Sequence, residues 1–150
     1  MIRWLRTNGI RQRSQKGEAL VEFALLAPFL IVLLMAVVDF GRIFDAWVVT
    51  TNAAREGARY AGVYSAEDYI IPVAEVQQLS QQKAYDYLTS GLGSRSDVSY
   101  SIDDIAVSVP VKLPGEPVTV TVSVRVQVWG LLNIFLSNQV TVRGQATMRI

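Results

Sequence analysis

Chemistry in this sequence concentrates where a glycine and two acids open an apolar stretch. The segment reads Gly17-Glu18-Ala19-Leu20-Val21-Glu22-Phe23, and Glu22 is the only charged residue between Ala19 and Val38. A carboxylate in such surroundings is costly, so an acid kept there is a functional candidate; the plainer alternative is a side chain that snorkels to the headgroups. Elsewhere the options are few. The 150 residues hold no histidine and no cysteine, which removes Ser-His-Asp hydrolysis, thiol chemistry, disulfides and the usual zinc ligands. Asp103-Asp104 stands beside a strand, where neighbours point to opposite faces, so a turn or bulge accounts for it better than a shared proton or metal. No glycine-rich phosphate loop is present, and a net charge of +1 argues against nucleic acid as a partner. No cofactor and no metal are expected, and the chain does not read as an enzyme.

The elements that position these residues follow from the placement of charge. Residues 1–16 carry Arg3, Arg6, Arg11, Arg13 and Lys16 and no acid, whereas residues 39–150 carry nine basic and eleven acidic groups. Between them, the twenty residues Ala19–Val38 span ~30 Å as a helix, the thickness of a bilayer's hydrocarbon layer. Backbone crossing lipid must pair within itself, so the segment is read as a helix. The unbalanced basic residues ahead of it place the amino terminus in the cytoplasm and residues 39–150 outside. A cleaved secretory signal fits less well, because Glu22 interrupts the start of the run and Asp39-Phe40-Gly41-Arg42 offers no small-x-small site. Pro28 has no amide proton for the carbonyl of Ala24, so a kink or loosened turn is expected there. The expected organisation is a basic cytoplasmic leader (1–17), a transmembrane helix (18–38) and an extracytoplasmic α+β domain (39–150).

Past the span the helix is expected to continue. Phe40, Ile43, Phe44, Trp47, Val48 and Thr51 keep the rhythm of one buried stripe, with Trp47 read as core packing. Asp39 and Arg42, three apart, can pair. The stripe then turns small at Ala54, Gly57, Ala58 and Ala61, which lets another backbone approach: this chain's own sheet, or a helix of another subunit. Arg55 and Arg59 are like charges four apart, either a solvated face or a contact with an acidic partner. Gly62 is a plausible helix end. A second helix is expected over about 73–90, with Pro72 in its first turn, Val76, Leu79, Ala84, Tyr87 and Leu88 inward, and glutamines opposite. Valines alternate with polar residues over 118–128, and a second alternation runs over 140–150; Ile105, Val107, Val109 and Val111 form a shorter strand, with Pro110 marking a sheet edge. An antiparallel sheet of about three to four strands, dry on one face, needs the long helix as cover. The apolar segment 129–137 fits a cap on the core, a dip into the outer leaflet or a partner contact.

The junction Lys16-Gly17-Glu18-Ala19-Leu20-Val21-Glu22-Phe23 resembles the processing site of type IV pilin-like proteins. With Asp39-Phe40-Gly41-Arg42 and the block Ala53-Ala54-Arg55-Glu56-Gly57-Ala58-Arg59, residues 15–62 resemble TadE-like proteins, the pseudopilins of tight-adherence (Flp) pilus systems. The resemblance implies a pilin-like fold and cleavage between Gly17 and Glu18 by a prepilin peptidase on the cytoplasmic face. It makes Glu22 the fifth mature residue, able to pair with the freed amine of Glu18 on a neighbouring subunit. Phe23 stands where Flp pilins often carry tyrosine. The implied partners are membrane lipid, the peptidase, other pilins or pseudopilins, and Tad/Flp assembly-platform subunits, at the bacterial inner membrane. The chain is far longer than a major Flp pilin, which favours a minor, accessory role. Arg55, Arg59, Gly57 and Ala58 are the candidate subunit contacts. The rival reading is a single-pass anchor for an outer domain that binds a ligand or cell-wall component, with no pilus.

Overall fold

The computed structural model describes residues 9–67, 72–109, 116–129 and 138–149, with side chains of the first stretch described over 17–63. The chain divides into two compact units, Met1–Val38 and Asp39–Ile150. Helix α1, Gly9–Glu67, contributes to both.

In the first unit α1 is the only described element, and it runs through Pro28. Its large side chains stand exposed among the described residues: Leu25 is 74% exposed and Phe29 67%. This helix is long and apolar enough to cross a membrane, and none of its most apolar stretch is buried. Water would leave that surface unsatisfied, whereas hydrocarbon of lipid tails is a matching solvent. The chain is thus consistent with a single-pass membrane protein.

The second unit is α+β, as expected. It contains α1 from Asp39 onward, α2 (Val73–Leu92), and strands β1 (Val98–Ser99), β2 (Ile105–Ser108), β3 (Pro117–Gln127) and β4 (Gln139–Arg149). All pairings are antiparallel. β4 follows β3 over its whole length, from Pro117 opposite Arg149 to Gln127 opposite Gln139. β1 and β2 share the other edge of β3, with Val98 opposite Val126 and Ile105 opposite Val122. Between them a short 3-10 turn, Ile102–Asp104, bulges out. The acid pair sits in that turn: the Ser101 amide donates to Asp104 (3.0 Å), and Arg125 reaches Asp104 at 2.6 Å.

The alternation along β3 puts Val118, Val120, Val122, Val124 and Val126 on one fully buried face. Both helices cover it. α1 supplies Ala46, Ala53, Ala54 and Ala58, and α2 buries Val76, Ser80, Ala84, Leu88 and Leu92 at four-residue spacing. The approach of α1 is close. A Cβ on Gly144 of β4 would stand 2.7 Å from the backbone of Thr50 and Thr51, so only glycine fits. One on Gly57 would meet Ala84 and the Ser80 carbonyl at 3.2 Å, and Ser80 Oγ donates to the Gly57 carbonyl at 2.6 Å.

Several expectations are corrected. The buried face of α1 is the small one. Phe40, Phe44, Trp47 and Val48 lie outside the core, because helix axes this close leave room only for alanine, glycine and threonine. Gly62 does not end α1, which continues to Glu67; a side chain there would meet Met148 Sδ at 2.9 Å. Pro72 precedes α2, and its carbonyl accepts the amides of Glu75 and Val76 at 3.0 and 3.2 Å. Tyr87 faces outward. Two glutamines leave the wet face: Gln77 and Gln81 donate to the carbonyls of Val107 (3.4 Å) and Ile105 (2.9 Å) on β2. Pro110, Val111 and residues 130–137 lie outside the described residues.

Candidate processing and assembly surfaces

Gly17, Glu18, Val21, Glu22 and Leu25 come together on one open face of α1. Four-residue spacing brings Glu18 and Glu22 onto the same side. Both are exposed, and among the described residues neither carries an ion pair. Gly17 is helical, and no atom lies within 4 Å of where its Cβ would stand. Glycine inside a helix costs ~1 kcal/mol relative to alanine, so this is a point where the helix is easily unwound. Phe23 is exposed one position beyond Glu22. Pro28 lies further along the same helix, where the Ala24 carbonyl lacks its usual donor.

The second unit holds a chain of ion pairs at the first turns of its part of α1. Arg42 bridges Asp39 (3.1 Å) and Asp97 (2.7 Å), and Arg95 bridges Asp97 (2.6 Å) and Asp45 (2.7 Å). Hydrogen bonding from Arg95, and then from Arg42, holds the Asp97 carboxyl well below the ordinary aspartate range, against a burial that pushes it up. The guanidinium of Arg42 lies 4.3 Å from the Trp129 ring centre, and the Trp129 amide donates to Asp39 Oδ1 at 3.4 Å. Asp39 is 4% exposed, and among the described residues its Oδ2 meets no hydrogen-bond donor. The Asp39–Arg42 pair was legible as an i, i+3 spacing. Arg95 and Asp97 were missed, because a pairing across some fifty residues leaves no local signal.

On the opposite flank Phe40 stacks on Phe44 (6.2 Å between ring centres), and Phe44 packs at a tilt on Trp47 (5.7 Å). With Ile43 and Val140–Arg143 of β4 these rings line an apolar groove of ≈340 Å³. Of the expected subunit contacts, Gly57 and Ala58 are enclosed by this chain's own α2 and sheet. Arg55 and Arg59 are exposed. Arg59 is held by Glu56 at 2.7 and 3.1 Å, which lowers the Glu56 pKa, and among the described residues Arg55 reaches only the neutral Asn52 at 3.3 Å. Among the described residues no cluster of three acids could hold a metal ion.

Comparison with known families places a TadE-like segment in this chain: residues 17–59 match the family model described as TadE-like protein. The match begins at Gly17, covers the apolar run and ends at Arg59, under a third of the sequence and the stretch that carried the resemblance. No curated protein and no solved structure matches the chain.

Proposed function

We propose that this chain, with its TadE-like segment as premise, is a pseudopilin or minor pilin that takes part in assembling a tight-adherence (Flp-type) pilus. It is made with a basic cytoplasmic leader (1–17), crosses the bacterial inner membrane once (18–38) and presents residues 39–150 outside. A prepilin peptidase cuts between Gly17 and Glu18. The freed amine and Glu22 of neighbouring copies then pair where solvent is scarce, because a lone buried charge is penalised. Pro28 supplies a bend or loosened turn near the start of the span. The partners are lipid, the peptidase, other pilins or pseudopilins and the subunits of the assembly platform, with the exposed Arg55 and Arg59 as candidate contacts; of these two, only Arg59 is held in an ion pair among the described residues.

The observation that supports this reading is the family match starting at Gly17, on a helix whose most apolar stretch is unburied among the described residues. The test is the mass of the chain co-expressed with its cognate peptidase. Loss of residues 1–17, blocked by Gly17→Ala, is the expected outcome; an uncut chain in both samples favours the membrane-anchored binding domain instead. Glu22→Ala should still be cut but fail to enter assemblies, and normal assembly of that variant removes the pairing step.

A further inference from the structure

The aromatic residues at the first turns of the second unit are arranged as a band. Phe40 and Phe44 are 69% and 51% exposed, and Trp129, from the end of β3, is 59% exposed. Trp129 is held against Arg42. At 3.6 residues per turn, Arg42 lies about 160° round α1 from both Phe40 and Phe44. The rings therefore stand on two nearly opposite flanks, yet Phe40, Arg42 and Phe44 fall within ~6 Å of axial rise. A protein partner approaching from one side would need one flank only. A planar boundary crossed by the helix needs side chains all round it at one level. The apolar run ends two residues before Phe40, and the headgroup layer that follows the hydrocarbon is about 5–8 Å thick.

We propose that Phe40, Phe44 and the Arg42–Trp129 pair form a seat in the headgroup layer of the leaflet through which α1 leaves the membrane. The indole of Trp129, apolar with one polar N–H, favours that layer; the phenyl rings of Phe40 and Phe44 fill its apolar side next to the hydrocarbon, and a guanidinium stacked on indole can face lipid phosphate while its stem stays in apolar surroundings. The charge chain through Asp97 and Arg95 fixes Arg42, and so fixes Trp129, in the band. Trp47 lies ~10 Å further along the helix than Phe40 and falls outside the layer. The seat sets the depth of the chain and limits tilt of the outer unit. This inference rests on reading residues 19–38 as a membrane span.

Depth-resolved quenching tests it. The full chain is reconstituted in phosphatidylcholine–phosphatidylglycerol vesicles carrying bromine at a shallow or a deep acyl position. Three single-tryptophan versions are compared: Trp129 alone (Trp4→Phe, Trp47→Phe), Trp47 alone (Trp4→Phe, Trp129→Phe), and Phe44→Trp with the three native tryptophans replaced by phenylalanine. The expected result is loss of emission from Trp129 and from the Phe44→Trp reporter with shallow bromine, and little loss from Trp47. Quenching on one flank only overturns the band and leaves a one-sided patch suited to a second protein. Absence of quenching on both flanks, in a chain that floats with the vesicles, overturns the seat alone. A chain that does not float overturns the span and the seat together.

Discussion

Helix α1 presents two surfaces of opposite logic along one element. From Leu20 to Val38 it carries large side chains that stand exposed among the described residues. From Ala46 to Ala61 its inward positions are alanine, glycine and threonine, and all are closed off by α2 and the sheet. Apolar content alone does not separate these regions. Side-chain size does: a helix surrounded by a fluid solvent fills its own perimeter, whereas a helix seated on a fixed partner must make room for it.

Five substitutions and one titration press on that contrast. Arg42→Ala removes the cation shared by buried Asp39 and Asp97, and should cost about 3–5 kcal/mol of the outer unit's stability, read from denaturant unfolding of the detergent-solubilised chain. The same truncation in two places gives the sharpest comparison. Leu88→Ala in the core should cost about 2–5 kcal/mol, while Leu30→Ala, exposed in the apolar run, should leave that unfolding transition in place. Equal losses would mean the run is packed on protein. Leu33→Arg should oppose membrane insertion by about 3 kcal/mol, seen as a larger fraction extracted by alkaline carbonate, with the outer unit's unfolding unmoved. Gly144→Val forces α1 away from β4 and should cost about 1–3 kcal/mol. The smallest effect is on pH. The Asp97 carboxyl titrates lower in the folded chain than its ordinary value of 3.8. The stability it contributes is therefore complete above that value and is lost as pH falls below it. Asp97→Asn should flatten the acid-side fall of the melting temperature and leave its shape near neutrality alone.

The parts of this molecule legible in its sequence are those with a local period. Period-two alternation gave β3 and β4, a twenty-residue apolar run gave a helix long and apolar enough to cross a membrane, and the Gly17 junction carried the resemblance that the family match repeats. The inward face of α1 was misread because two stripes compete there. Phe40, Phe44 and Trp47 keep a helical rhythm as well as Ala46, Thr50 and Ala53 do, and hydrophobicity favours the larger set. Periodicity reports which residues share a face, not how near the next backbone comes. Gly62 was misread for the same reason: the glycine serves proximity to Met148, not chain termination. The link from Arg95 to Asp45 joins elements fifty residues apart and exists only once the fold does.

The two glutamines that α2 extends to β2 have a consequence for any encounter of this sheet with a foreign strand. A bare strand edge is a template: its unused carbonyls invite a foreign strand, and the pairing zips onward. Gln77 and Gln81 already occupy the carbonyls of Val107 and Ile105, so a visiting strand would have to evict two amides before its first bond. The helix that completes the core thus also acts as a guard rail along β2.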